Sequence, residues 1–336
     1  MIEKTLDIIK LASNENALGT SPLALEAIKD NYHNVHRYPE YHPFTLKDIL
    51  AGKHNVLSQN IALSAGSVGM IDMIIKNFVN YDEEVLTFEN SFVAYGLLAK
   101  ANKKKCSFAK LTDFTCDVNN LFPLPGEKTK VIFIANPNNP TGTIISHDSL
   151  YRLLKAISSE ILVIIDEAYY EYVTDVTYPD SLKLQKEFPN LIILHSFSKI
   201  YGLAGLRIGY AIAHEGIVQE VEERSMPYRI NSLASAAACA ALDDHEFIEK
   251  CAIFNNEERN FLYHELANLG YNVVPSQGNF IYMYFDQHES KERVFKQLSD
   301  EGILICNMDI FGQEKSLRIT IGRSEVNRRI IECLRK

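Results

Sequence analysis

Between residues 84 and 213 the chain repeats one pattern. Short, β-rich apolar runs at Glu84–Phe88, 131–135, 161–165, 191–195 and 206–213 alternate with amphipathic or polar segments. Strands this short and this apolar are buried on both faces, and parallel neighbours need crossover segments between them. The pattern therefore predicts an α/β sheet covered on both sides, with functional residues in the loops at strand ends.

Beyond an Ala-rich stretch at 233–242 the pattern changes. Phe254, Phe261 and Leu262 stand at i, i+7 and i+8, followed by Leu266, Leu269 and a stopping Gly270, which reads as one long helix. Strand-like 280–285, a helix near 290–299, strand-like 317–321 and a last helix from Ser324 form a smaller α+β unit, with the boundary near residue 240. A length of 336 residues suits two such units without metal or disulfide support.

Composition excludes several classes of function. Thirty-four basic against 43 acidic residues leave a net charge of −9, which disfavours nucleic acid and anionic membranes as partners. No apolar run approaches the roughly 18–20 residues of a membrane span. Glu3, Lys4, Asp7 and Lys10 break the order of a secretory signal. Cysteines at 106, 116, 239, 251, 306 and 333 form no C-x-x-C pair and no zinc-like spacing, so reduced thiols in a cytoplasm and no metal site are expected.

Three strand ends carry polar motifs. N-P-N-N-P-T-G at 136–142 follows one apolar run, Asp166 closes I-L-V-I-I-D ahead of Glu167, Ala168 and Tyr169, and H-S-F-S-K at 195–199 follows a third, with Arg207 eight residues on. Singly, each is ordinary turn, cap or surface chemistry. Together, Asn139, Asp166, Tyr169, Ser196, Ser198, Lys199 and Arg207 fall at strand ends of one sheet. No G-x-G-x-x-G follows a strand, which disfavours a nicotinamide-dependent dehydrogenase.

In this order the motifs resemble the fold-type I pyridoxal-phosphate aminotransferases. The resemblance runs from L-A-S-N-E-N at 11–16 to L-R-I-T-I-G at 317–322. Through L-A-S-N-E-N, R-Y-P-E at 37–40 and D-E-A-Y at 166–169 it lies closest to the histidinol-phosphate aminotransferase group. It implies a large domain, 31–239, with a mostly parallel seven-stranded sheet, a small C-terminal domain, 240–336, and an N-terminal arm, 1–30, packing with the small domain.

The same resemblance assigns roles. The chemistry needs a lysine amine to bond the cofactor aldehyde and a carboxylate to keep the pyridine nitrogen protonated; Lys199 and Asp166 match. Asn139 and Tyr169 would hydrogen-bond the ring's 3-oxygen, and Phe92 of S-F-V-A-Y would stack on the ring. Gly66 and Ser67 open an apolar helical segment whose N–H groups would face the cofactor phosphate. Ser196, Ser198 and Arg207 would complete that phosphate site. Tyr38 would reach the phosphate from the other subunit of a homodimer, and Arg318 would clamp the substrate's anionic end. Asn14, Asn16 and Asn279 match segments near the substrate. The partners implied are an amine donor and a 2-oxo acid such as 2-oxoglutarate, and the implied pathway is histidine biosynthesis.

One position departs from that pattern. The segment G-I-x-x-R of the histidinol-phosphate enzymes here reads G-I-L-I-C, placing Cys306 where an arginine would meet the substrate phosphate, with Lys315 or Arg323 as possible substitutes. Losing one partner of a buried charge pair costs about 2–5 kcal/mol. An aromatic or other amino-acid aminotransferase and a threonine-phosphate decarboxylase, which share the cofactor residues, stand as alternatives, as does a non-catalytic cofactor-binding module, since fold does not guarantee activity.

Overall fold

The computed structural model describes residues 8–40, 43–122 and 124–336. The chain opens with β1 (Ile9–Leu11), α1 (Pro22–Asn31), α2 (Phe44–His54), β2 (Ile61–Ser64) and α3 (Gly66–Phe78). It continues through β3 (Glu84–Phe88), α4 (Ala94–Ala101), β4 (Lys105–Ala109), β5 (Thr129–Ala135), α5 (His147–Ala156), β6 (Leu162–Asp166), α6 (Ser181–Glu187), β7 (Leu191–Ser196) and β8 (Gly209–Ile212). Then come α7 (Glu215–Glu223), α8 (Ser232–Asp243), α9 (His245–Asn268), β9 (Asn272–Val274), β10 (Phe280–Tyr284), α10 (His288–Asp300), β11 (Ile303–Asn307), β12 (Ser316–Thr320) and α11 (Ser324–Leu334).

The seven-stranded sheet runs β2-β8-β7-β6-β5-β3-β4. Pairs from β7 through β4 are parallel, and β8 runs antiparallel to both β7 and β2. Separate apolar cores lie on its two faces, so Val163 and Ile165 pack on one side while Ile164 packs on the other. This is why β5, β6 and β7 read as unbroken apolar runs rather than alternating ones. The smaller sheet runs β1-β11-β12-β10-β9 and has its own core around Leu262, Ile281, Ile319 and Ile330.

Three expectations need correction. The run at 206–213 is strand only from Gly209, because Ala204–Leu206 turn as a 3-10 helix and Arg207 takes φ +55°. The arm expected over 1–30 divides, and its first seven residues lie outside the described ones. Within the rest, β1 joins the small sheet beside β11, whereas α1 packs on α8 and Ala24 enters the large core. A boundary at 239/240 would cut α8, whose Ala234, Ala237, Ala238 and Ala241 belong to the large core.

Helix α9 bridges the two units, with Cys251 in the large core and Leu262 and Leu266 in the small one. Its buried middle is polar instead of following the Phe254–Phe261 stripe. Arg259 donates to the carbonyls of Tyr172 and Gly278 at 3.2 Å, and Glu258 accepts from Asn327 at 2.7 Å. Loop carbonyls at the junction require donors, which an apolar helix face would not supply.

Candidate active site

The loops after β5, β6 and β7, the start of α3, the arm before α1 and the segment after β11 enclose a cavity of about 310 Å³. Asn14, Ser67, Phe92, Asn139, Asp166, Tyr169, Ser196, Ser198, Lys199, Arg207 and Arg318 line it; Gly66, Asn279 and Tyr38 do not. The separate strand-end motifs thus meet at one place.

One end of the cavity is built to receive an anion. Gly66 opens α3 at φ +78°, and a Cβ there would stand 2.5 Å from Nη2 of Arg207. Gly209 is equally constrained, since its Cβ would come within 2.9 Å of the Ser67 nitrogen and the His195 carbonyl oxygen. Both glycines let β8, the start of α3 and the Arg207 guanidinium close together. Arg207 Nη1 donates to Ser198 Oγ at 3.3 Å and to the Ala204 carbonyl at 3.0 Å, and no acidic side chain is seen paired with it among the described residues. A helix N-terminus, the Ser196 and Ser198 hydroxyls and an uncompensated guanidinium form a phosphate-type cradle.

Asp166 closes β6 and is almost wholly buried. Tyr95 Oη donates to its Oδ2 at 3.0 Å and the Ala168 N–H to its Oδ1 at 3.2 Å. Burial pushes its pKa up to about 6, against the hydrogen bonds from Tyr95 and Ala168 and the nearby Lys199 charge, which hold it down. A buried carboxylate of this kind is completed by a cationic N–H partner. Tyr95 was not singled out in the sequence. It is fully buried, stacks on Phe133 at 4.8 Å, and is the second aromatic of S-F-V-A-Y, three residues after Phe92. That spacing was its only signal.

Lys199 lines the same cavity. Its Nζ donates to the Ser13 carbonyl at 3.1 Å and stands 5.4 Å from the centre of the Tyr169 ring. Tyr169 Oη accepts from Asn14 Nδ2 at 3.0 Å and Asn139 Nδ2 at 3.4 Å. Asn14, at φ +54°, also receives Asn279 Nδ2 on its carbonyl at 3.0 Å, so Asn279 fixes the arm rather than facing the cavity as expected. Asn16 likewise ties the arm to the loop after Lys199, donating to the Ile200 carbonyl at 2.7 Å.

Arg318 also lines the cavity and is 7% exposed. It donates to Asn139 Oδ1 at 2.5 Å and to the Ala12 carbonyl at 2.6 Å, while its buried Nε has no partner among the described residues. No acidic side chain is seen paired with it among the described residues. A buried guanidinium left in this state is matched by an incoming anion. Cys306, its register neighbour across β11 and β12, sits in an apolar cluster with Val274, Tyr282 and Met308 and does not line the cavity. Lys315 is exposed, donating to the Asp286 carbonyl, and Arg323 reaches the Ala17 carbonyl, so neither lines the cavity. Met308, Phe311 and Gln313 do line it, and no motif had pointed to them.

Behind the site, His195 accepts or donates at Glu167 Oε2 (2.9 Å) and Tyr210 Oη (2.8 Å), and Tyr170 stacks on its ring at 4.3 Å. This buried network ties the ends of β6, β7 and β8 together, one residue from Asp166 and from Ser196. It supports the strand-end geometry without entering the cavity.

Tyr38 is 83% exposed and packs its ring on Tyr228 at 4.9 Å. In a single chain it stands outside the cavity.

Comparison with known proteins gives a consistent result. Residues 6–334 match the model of the family described as aminotransferase class I and II. The histidinol-phosphate aminotransferase of Anaeromyxobacter sp. (strain Fw109-5) is 40% identical over 98% of this chain and 90% of its own. The crystal structure of a histidinol-phosphate aminotransferase from Clostridium acetobutylicum superposes with a TM-score of 0.88 at 25% identity, covering 97% of this chain and 98% of that one. That of Sinorhizobium meliloti, in complex with pyridoxal-5'-phosphate, shares the fold with a TM-score of 0.91 at 24% identity, covering 98% and 91%.

Proposed function

This chain belongs to the class I and II aminotransferases, pyridoxal-phosphate-dependent transaminases, and on that premise we propose that it moves the amino group of histidinol phosphate to 2-oxoglutarate. The relatives' names supply the substrate. The observation that carries it in this chain is the pair of guanidinium groups, Arg207 and Arg318, both lining the Lys199 cavity without acidic partners among the described residues. Two anion sites in one cavity suit a phosphorylated cofactor and an anionic substrate.

The residues present fit that cofactor. The α3 start with Gly66 and Ser67, the Ser196 and Ser198 hydroxyls and Arg207 would hold its phosphate. Asp166, itself held by Tyr95, would keep the ring nitrogen protonated. Asn139 and Tyr169 would bond the 3-oxygen, and Phe92 would cover one ring face. Pyridoxal phosphate, when bound, supplies an electron sink for the substrate's α-carbon.

The chain's own residues do the rest. Lys199 Nζ, the amine that would bond the cofactor aldehyde, would take the proton from the substrate's α-carbon and hand it back to complete the transfer. Arg318, locked by Asn139 and the Ala12 carbonyl, orients the substrate through its phosphate. The 11–16 arm, tied down by Asn14, Asn16 and Asn279, roofs the site and limits water.

With 2-oxoglutarate as acceptor, histidinol phosphate should exceed histidinol in kcat/KM by about 30-fold or more, the worth of one buried, hydrogen-bonded charge contact. Higher values for phenylalanine, tyrosine or histidine would overturn the substrate and favour an aromatic aminotransferase.

The working unit is a homodimer in the cytoplasm. Leu23, Leu25, Tyr32, Val35, Tyr38 and Met226 are exposed on α1, just after it and beside the Tyr38–Tyr228 contact, apolar side chains that a partner subunit would cover. Tyr38 would then reach the cofactor phosphate of its partner. Mixed dimers of Tyr38→Phe and Lys199→Ala chains should regain activity in verified heterodimers, because one of their two sites carries neither lesion. Heterodimers as impaired as both parents would refute the sharing.

A further inference from the structure

The cavity lining that the small unit supplies beside Arg318 contains a polar group that neither the motifs nor the proposed mechanism uses. Pairing in the small sheet sets Val274, Tyr282, Arg318 and Cys306 side by side, one from each of β9, β10, β12 and β11. Cys306 is turned into an apolar cluster with Met308 and offers no donor to the cavity. On the other side of Arg318, Tyr282 is buried and its Oη contacts Gln313 Oε1 at 2.6 Å and Ser316 Oγ at 2.7 Å. A phenol has one proton. Given to Gln313 Oε1, it leaves the phenol oxygen to accept from Ser316. The amide oxygen of Gln313 is then engaged, and its NH2 group is the part left for the cavity that Gln313 lines.

Among the described residues the small unit gives this cavity Met308, Phe311, Gln313 and Arg318, of which the last two carry side-chain N–H donors. We propose that the Gln313 side-chain amide is a substrate-recognition donor which, beside Arg318, binds a phosphate oxygen of the amine substrate in place of the guanidinium that residue 306 does not supply. Tyr282 and Ser316 are positioning residues that hold the amide in its donating orientation. The inference rests on the reading that the amine substrate is phosphorylated. It gives that substrate a second contact in a wall otherwise closed by Met308 and Phe311.

The test is steady-state kinetics of the holoenzyme with histidinol phosphate and histidinol, 2-oxoglutarate being the acceptor. Gln313→Leu should lower kcat/KM for histidinol phosphate by about 10- to 100-fold, the worth of a hydrogen bond to a charged group, and leave histidinol within about 2-fold. Gln313→Glu, of nearly the same shape, should lose at least as much with the phosphorylated amine alone, through charge repulsion. Tyr282→Phe should raise KM for histidinol phosphate at unchanged kcat, which a loss of general integrity would not do. Cys306→Arg placed on Gln313→Leu should restore part of the phosphate preference. Unchanged histidinol turnover in the same samples shows that the variants are folded. If wild type prefers histidinol phosphate and Gln313→Leu keeps that preference, or lowers both amines alike, this inference is overturned and the substrate reading stands. If wild type shows no preference, both fall.

Discussion

Lys199→Ala is expected to lower transamination by about 10⁴-fold or more and to leave no cofactor covalently attached after borohydride reduction. Lys199 is the one lysine among the described residues lining the cavity. The reaction asks two things of it, covalent capture of the cofactor and proton transfer at the substrate's α-carbon, and general acid–base catalysis alone contributes about 10²–10⁴-fold. The folded protein should survive the change, because among the described residues Nζ makes a single hydrogen bond, to the Ser13 carbonyl. Activity within 100-fold of wild type would mean that another group moves the proton.

Asp166→Asn separates function from stability. Turnover should fall by about 10³-fold or more, because a neutral amide cannot hold the pyridine nitrogen protonated. Stability of the cofactor-free protein should move the other way. Burial raises the folded pKa of Asp166 from the ordinary 3.8 to about 6. Between those values the folded chain binds more protons than the unfolded one. The contribution of Asp166 therefore falls as pH rises through this window and stays low above it. The asparagine removes that penalty. At pH 8 the cofactor-free variant should be more stable than wild type by about 1–3 kcal/mol in denaturant unfolding, and the difference should shrink toward pH 4. Equal stability at pH 8, or near-normal turnover, would contradict the assignment of Asp166 as a desolvated partner of the ring nitrogen.

What was legible in the sequence follows from which features are local. The strands β3, β5, β6 and β7 are read directly because burial on both faces demands continuous apolar runs, and Asn139, Asp166 and Lys199 follow because each stands within a few residues of such a strand's end. Strands β4 and β11 escaped notice, since Lys105–Ala109 is partly exposed at the sheet edge and Ile303–Asn307 is short and interrupted by an exposed Leu304. The extra length assigned to β8 failed because placing the Arg207 guanidinium on Ser198 demands a left-handed residue that no periodicity reveals. Tyr95 and Gln313 were missed for a further reason. Tyr95 gains its meaning from a carboxylate 71 positions away, and Gln313 from a tyrosine 31 positions away, contacts that only the tertiary fold creates. Asn279 shows the converse, a matched motif residue whose partner proves to be the arm rather than the cavity.

Borohydride reduction of the holoprotein, followed by proteolysis and mass mapping of the cofactor-bearing peptide, tests most directly whether these loops build the transamination centre. The adduct should sit on Lys199, within H-S-F-S-K, at one per chain. An adduct on any other lysine, or a protein that transaminates with no lysine modified, would contradict it.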